Sequence, residues 1–184
     1  MDDKTKRSNR FTLLILLLVF LAPAVGSWWL YVNAGHLHLG TTNKGEFVQP
    51  PRLIDTVGLG LPGDYFAHHL TLVYVSNAQC TADCRRALQL MRVTELSLGE
   101  QLTHAQQLYL ASGTPDAAAV RADPGLMALN AAGRPALHAF DGANAPNYVY
   151  LVDPHGYVVL RYSLAQDPKS ILQDMRHLFG QGEG

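Results

Sequence analysis

A strand-to-helix junction at residues 73–90 is the feature that most constrains how this chain can fold. The junction begins inside an apolar, β-branched run at residues 69–76, which is typical of a buried strand. A short polar loop follows, and then come the only two cysteines of the sequence, Cys80 and Cys84. Apolar residues recur at helical spacing after Cys84, so we predict that the second cysteine lies at the start of a helix.

The C-terminal part of the chain predicts further strands and helices in alternation. After the first strand, further strands are predicted at residues 106–111, 148–152 and 157–162, with an earlier strand or hairpin at residues 52–61. The last two clear strands flank Asp-Pro-His-Gly, a tight turn, and therefore form a hairpin.

Proline placement predicts where two of the helices begin. Thr114 is predicted as the N-cap of a helix that runs to about residue 122, with a shorter helical turn continuing to residue 130. Asp167 and Pro168 predict the start of the last helix by the same pattern. The order of strands and helices is that of an α/β thioredoxin-like domain, a mixed sheet flanked by helices.

An uncharged stretch at residues 11–32 predicts a single N-terminal transmembrane helix. Its 22 residues would span about 33 Å as a helix, which is enough to cross a bilayer core. Lysine and arginine precede this stretch and do not recur until Lys44, so the N-terminus is predicted to be cytoplasmic. A cleaved signal peptide is the alternative, because small residues follow the apolar core at residues 21–27.

These observations predict four regions. They are a cytoplasmic N-terminus at 1–10, a transmembrane anchor at 11–32, a linker at 33–51 and a thioredoxin-like domain at 52–184. The domain is predicted to lie on the periplasmic side of the inner membrane, where a disulfide can persist. The formal net charge of −1 gives no indication of a nucleic-acid partner.

The position of the cysteines favours reactivity over a purely structural role. A helix N-terminus carries partial positive charge, so a thiol there ionises more readily and serves as a nucleophile or a soft metal ligand. The alternative is a cross-link between Cys80 and Cys84 that only stabilises the loop. Such a small ring would contribute only about 2 kcal/mol.

The ordered motifs resemble the Sco/SenC/PrrC family of membrane-anchored, thioredoxin-fold proteins that assemble the copper site of cytochrome c oxidase. The resemblance rests on the strand, the CxxxC at a helix start, the Thr114-Pro115 helix and the hairpin Tyr-Leu-Val-Asp-Pro-x-Gly at residues 150–156. It covers roughly residues 52–179 together with the anchor. It implies that Cys80 and Cys84 bind copper as Cu(I), and that the partner is a cytochrome c oxidase subunit or another assembly factor.

The chain departs from this family at its third copper ligand. The family has a histidine before the hairpin-turn proline, but Ala145 occupies the corresponding position, nine residues before Pro154. His138 is the one other histidine in the segment leading to the site, and it is the candidate replacement. Two thiolates alone suit Cu(I) better than Cu(II). Pro146 is the candidate for the cis-proline that thioredoxin-like reductases place beside their cysteines.

Three functions therefore stay open at this point. The first is a membrane-anchored accessory protein of cytochrome c oxidase assembly, which binds Cu(I) or exchanges disulfides through Cys80 and Cys84. The second is a periplasmic thiol-disulfide reductase in which Cys80 attacks and Cys84 resolves the mixed disulfide. The third is a non-catalytic assembly factor that uses the fold for docking, so the sequence leaves open whether the protein is an enzyme.

Overall fold

The computed structural model describes residues 3–33, 43–76 and 79–181, and the chain divides into two compact units between residues 42 and 43. The first unit contains helix α1 (Asp3–Asn33), which begins within the ten residues predicted as cytoplasmic. Across the described part of the chain, no helix combines the length and the apolar character that crossing a membrane requires. The anchor at residues 11–32 therefore stays a prediction.

The second unit is built on a six-stranded mixed sheet. Its strands are β1 (Glu46–Leu53), β2 (Leu70–Ser76), β3 (Ala105–Ala111), β4 (Leu126–Asn130), β5 (Tyr148–Val152) and β6 (Tyr157–Ser163). Their order across the sheet is β1-β6-β5-β2-β3-β4. Strand β3 pairs in parallel with β2 and with β4, whereas the pairs β1–β6, β6–β5 and β5–β2 are antiparallel. The predicted mixed sheet is thus confirmed.

The second unit also contains three α-helices and three short 3-10 helices in its described residues. The α-helices are α2 (Ala82–Leu96), α3 (Ala117–Ala122) and α4 (Pro168–Gln181). The 3-10 helices are Gly99–His104, Pro135–Ala139 and Gly142–Asn147. The predicted hairpin between β5 and β6 is present, and the turn closes with the N–H of Gly156 donating to the carbonyl of Asp153 at 3.0 Å.

The sheet has a buried core on each face because side chains alternate along its central strand. On β2, Leu72 and Tyr74 belong to the cluster that α2 and α4 cover, with Met91 and Ile171 fully buried against them. Val73 belongs to the opposite cluster, which the loops and the 3-10 helices cover. Strand β2 is therefore buried on both faces, and packing on each face holds it in place within the sheet.

The connector predicted at residues 33–51 ends earlier than expected, because residues 46–51 form most of β1. Pro50 and Pro51 argue against a central strand, since proline has no N–H to donate. Strand β1 lies at the edge of the sheet, and its register with β6 shifts between Phe47 and Arg52. The edge position and the irregular pairing together accommodate the two prolines.

The helical turn predicted up to residue 130 is wrong, since those residues form strand β4. Five residues are too few to sustain an isolated helix. Strand β3 offers them a parallel hydrogen-bonding edge, in which Leu126 pairs with Gln107 and Asn130 pairs with Ala111. Pairing with a neighbour distant in sequence thus overrides the local preference.

The predicted cap of the second helix is displaced by two residues. Asp116, not Thr114, is the N-cap of α3, and its carboxylate accepts the N–H of Ala118 at 2.8 Å. The backbone of Asp116 is extended, with φ −65° and ψ 110°, so Pro115 lies outside the helix. A shorter helix results than the one that the Thr-Pro pair predicts.

Candidate functional site

The two cysteines lie at the junction between β2 and α2, as the sequence predicts. Cys84 is the third residue of the helix, and Cys80 precedes Thr81, the N-cap residue. The cysteines form a disulfide whose Cα atoms are 5.1 Å apart. Cys84 is buried, with 1% of its surface exposed, whereas Cys80 is only partly buried. Cys80 is therefore the more exposed of the two cysteines, and Cys84 is enclosed.

The start of α2 supplies backbone dipoles to the enclosed sulfur. The first intrahelical bond joins the N–H of Arg85 to the carbonyl of Thr81, so the N–H groups before it, including that of Cys84, have no partner within the helix. Thr81 itself makes no side-chain cap. The Arg85 guanidinium donates to the carbonyl of Cys80 at 3.3 Å. The N–H groups at the start of the helix and the Arg85 guanidinium both favour negative charge on sulfur.

A tyrosine hydroxyl lies behind the disulfide. The Tyr109 oxygen is 3.6 Å from Cys84 Sγ and 3.0 Å from Ser76 Oγ. Its ring stacks on that of Tyr74 with centroids 6.0 Å apart, because the two residues are direct neighbours in the β2–β3 register. Burial, with smaller contributions from Tyr109 and Asp83, raises the pKa of Tyr74 to about 12. The floor of the site is thus aromatic and largely buried.

The 3-10 helix Gly142–Asn147 forms another wall, since it contacts both β2 and α2. Ala145, which the resemblance to the Sco/SenC/PrrC family aligns with that family's histidine ligand, lies in this segment and is 1% exposed. Asp141, at its start, accepts hydrogen bonds from Tyr150 Oη at 3.2 Å and from Arg161 Nη1 at 2.7 Å. These contacts hold the segment against the sheet.

Pro146 does not have the predicted cis bond. Among the described residues, the cis peptide bond is Gln49–Pro50, so the bond that precedes Pro146 is trans. Pro146 instead lies within the 3-10 helix Gly142–Asn147. A 3-10 turn requires helical backbone angles, and the trans peptide satisfies them. The analogy to a reductase cis-proline is therefore wrong for this position.

A protein-family model matches residues 70–180, more than half of the 184-residue chain, and is described as the transmembrane-like, thioredoxin-like, C-terminal domain. The chain belongs to this family. The match runs from the first residue of β2 almost to the end of α4, so it includes both cysteines. No curated protein matches the sequence.

Solved structures with the same fold include copper-binding proteins. Yeast Sco1 with copper bound superposes with a TM-score of 0.57 at 16% identity, covering 77% of this chain and 95% of that one. Apo Sco1 from Thermus thermophilus gives a TM-score of 0.51 at 13% identity, covering 76% of this chain and 99% of that one. At these identities the likeness establishes the fold, and it confirms that this member of the transmembrane-like, thioredoxin-like family has a Sco-like thioredoxin fold.

The structure does not bring His138 to the cysteines. His138 is an exposed residue of the 3-10 helix Pro135–Ala139, which packs Ala136 and Ala139 into the core instead. Within the described ranges, no three His, Cys, Asp or Glu side chains form a group able to hold a metal. Cys80 and Cys84 are joined in the disulfide, so their sulfurs are available to a metal only after the disulfide is reduced.

Sequence reasoning missed Tyr109, although a signal for it is present. Tyr74 and Tyr109 each stand at the fifth position of a seven-residue strand, and the two strands are parallel neighbours. The same register pairs Ser76 with Ala111 at the end of the strands, next to the cysteines. Aligning the two predicted strands as parallel neighbours places the tyrosines side by side.

Proposed function

We propose that this domain exchanges disulfides with cysteines of a partner protein, with Cys80 and Cys84 cycling between disulfide and dithiol. The observation that carries this proposal is the asymmetry of the bond. Cys80 is partly exposed, so a partner thiolate approaches the bond from its side, whereas Cys84 is buried at the start of α2. A bond that only closed the loop would not require a buried sulfur at a helix N-terminus.

The exchange proceeds in two displacement steps. A partner thiolate attacks Cys80 Sγ, the bond to Cys84 breaks, and its electron pair leaves with Cys84 Sγ. A second partner thiolate then attacks the partner's own sulfur in the mixed disulfide and releases Cys80 as a thiolate. The partner's dithiol is oxidised to a disulfide, and the pair in this chain is reduced. Both partner protons are free to pass to the two released sulfurs through solvent.

The test is the reduction potential of the pair in the full-length chain. The protein is equilibrated in glutathione buffers of graded ratio, and the free thiols are alkylated and counted by mass spectrometry. We expect a potential well above about −300 mV, because inert structural disulfides have potentials below that value. A potential below about −300 mV would refute disulfide exchange. Cys84→Ser should trap a mixed disulfide with a partner, and Cys80→Ser should not, because its remaining cysteine is buried.

A second candidate function is transfer of Cu(I) as cargo by the reduced pair. Its support is the placement of two soft sulfur ligands at one junction, on a fold shared with copper-bound Sco1. The recipient proposed from the family resemblance is a cytochrome c oxidase subunit or another assembly factor. Titration of the reduced chain with Cu(I) should show binding that is lost in Cys80→Ser and Cys84→Ser and kept in His138→Ala. Binding that does not depend on the cysteines would refute this function.

The anchor and the location complete the proposal. Residues 11–32 span the inner membrane once and leave the thioredoxin-like domain in the periplasm. Support comes from the uncharged stretch, from exposed apolar side chains of α1 such as Phe20 and Trp28, and from the family description. Membrane fractionation, with protease added to intact and to opened cells, tests both points. Full extraction of the chain by high salt would contradict the anchor.

A docking role without chemistry makes a different prediction. If the fold serves only as a binding surface in oxidase assembly, the variant carrying both Cys80→Ser and Cys84→Ser should support oxidase maturation as well as the wild type. Loss of maturation in this variant, with folding and membrane insertion unchanged, would instead support a function that requires the thiols.

A further inference from the structure

Reduction of the disulfide leaves charge on an enclosed atom. When Cys80 is attacked, the electron pair of the broken bond stays on Cys84 Sγ, and Cys84 is 1% exposed. Burial disfavours a thiolate unless hydrogen-bond donors replace the lost water. The N-terminus of α2 supplies one set of donors. The structure places one side-chain hydroxyl, that of Tyr109, within hydrogen-bonding distance of the same sulfur.

The direction of these hydrogen bonds follows from the chemistry of a disulfide. The sulfur of Cys84 carries no hydrogen while it is bonded to Cys80, so in this pair the O–H of Tyr109 must be the donor. The Tyr109 oxygen is then left to accept from Ser76 Oγ, which is 3.0 Å away. Both contacts are satisfied together when Ser76 donates to Tyr109 and Tyr109 donates to Cys84.

We infer that Tyr109 is a catalytic residue that stabilises Cys84 as the leaving sulfur, and that Ser76 is a positioning residue that orients the Tyr109 hydroxyl. The inference rests on the proposed disulfide exchange. As the S–S bond breaks, the hydrogen bond from Tyr109 changes from one to a neutral sulfur to one to a thiolate, which is stronger. No proton needs to leave Tyr109 in this step.

The arrangement also selects which sulfur is attacked. Tyr109 contacts Cys84 and lies on the buried side of the bond, whereas Cys80 is the sulfur open to a partner. Cleavage that leaves the negative charge on Cys84 is therefore favoured over cleavage that leaves it on Cys80. The preferred co-reactant is a thiolate of a partner cysteine that reaches the surface above Cys80.

Tyr109→Phe tests the inference because it removes the hydroxyl and keeps the stacked ring. We expect dithiothreitol to reduce the disulfide of the full-length variant about tenfold more slowly than that of the wild type, the loss expected for one hydrogen bond to a charged atom. The glutathione equilibrium should shift in the same direction, towards the disulfide. Ser76→Ala should slow reduction less, by roughly threefold, since it only loosens the hydroxyl.

Tyr74→Phe is the matched control. It removes a hydroxyl from the other ring of the same stacked pair, and it should change both the rate and the equilibrium by less than about twofold. An unchanged rate and equilibrium in Tyr109→Phe would overturn the inference, as would equal effects of the two tyrosine variants. Should Tyr109→Phe fail to fold, Ser76→Ala decides, and an unchanged rate and equilibrium in that variant would overturn the inference.

The result also separates this inference from the proposed function. If the wild-type pair is inert towards protein cysteines but Tyr109→Phe still slows its reduction by dithiothreitol, the proposed function fails and the role of Tyr109 stands. If the wild type exchanges disulfides and Tyr109→Phe is reduced at the wild-type rate, the function stands and the role of Tyr109 fails.

Discussion

A single buried carboxylate, that of Asp174 on α4, fixes the point where the chain enters the C-terminal unit. Its oxygens accept the N–H of Lys44 at 2.8 Å, the N–H of Gly45 at 2.8 Å and the hydroxyl of Tyr162 at 3.0 Å. A Cβ added to Gly45 would lie 2.5 Å from the Tyr162 ring, so glycine is required for this close approach. Asp174 thus joins residues that are 130 positions apart in the sequence.

Asp174→Asn should destabilise the fold by about 1 to 3 kcal/mol. All three donors bond to one oxygen of the carboxylate, Oδ2, and the neutral amide loses the negative charge that strengthens these hydrogen bonds. The free energy of unfolding from urea denaturation measures the loss. Asp167→Asn is the control, since that exposed side chain accepts one backbone N–H, from Lys169, and asparagine replaces aspartate there at little cost. Equal effects of the two variants would contradict the role of Asp174.

At the scale of single residues, the sequence predicts local features and misses distant ones. Cys80 and Cys84 are predictable at a helix start because their spacing of four, an apolar run and helical periodicity all lie within one short stretch. Tyr109 is found only when the two strands are aligned as parallel neighbours, because it contacts Cys84 across 25 positions in the sequence. Ala145 needs no structural information at all, since its identity alone excludes a histidine ligand at its position.

Among the secondary-structure elements, those with strong internal patterns are predicted best. Strands β2, β3, β5 and β6 match their predicted positions within one residue, because each is an apolar run bounded by polar or turn residues. Strand β1 contains two prolines, and β4 is a short stretch with no alternation. Each of these is a strand because a neighbouring strand pairs with it, and neither is predictable from its own residues.

The role of Asp116 as the N-cap of helix α3 can be tested by substitution. Asp116→Ala should cost about 1 kcal/mol, because the N–H groups of Ala118 and Ala119 lose their acceptor. Thr114→Ala should change stability by less than about 0.5 kcal/mol, since Thr114 is exposed and lies outside the helix. Urea denaturation of both variants measures the difference. A larger loss of stability in Thr114→Ala than in Asp116→Ala would instead support Thr114 as the N-cap.

For the whole molecule, the fold should survive reduction of its disulfide. A ring closed over residues 80–84 contributes only about 2 kcal/mol in the chain-entropy account. Cys84 belongs to one core cluster of the sheet, but most members of that cluster and all of the other lie elsewhere in the chain. We expect the free energies of unfolding measured with and without dithiothreitol to differ by no more than this amount. The variant Cys80→Ser/Cys84→Ser should match the reduced wild type. Unfolding on reduction would contradict exchange between two folded states.

Buried tyrosines predict how stability changes at alkaline pH. Burial raises the pKa of Tyr65 and of Tyr74 to about 12, above the ordinary value of about 10. Between these values the unfolded chain releases protons that the folded domain retains. The stability contribution is therefore complete below about pH 10 and is lost as the pH rises towards about 12.

Urea denaturation across this pH range measures the effect. The free energy of unfolding should fall with rising pH, and Tyr65→Phe should make the fall less steep by removing one of the titrating groups. A slope that does not change in Tyr65→Phe would contradict the contribution assigned to burial.

The two edges of the sheet differ in their capacity to recruit another chain. Strand β1 closes one edge with two prolines and a shift of register, so it cannot present a continuous row of N–H donors. Strand β4 closes the other edge, contains no proline and exposes Met127. Of the two edge strands, β4 is therefore the one without a proline to interrupt the row of backbone groups that a strand from a second molecule would pair with.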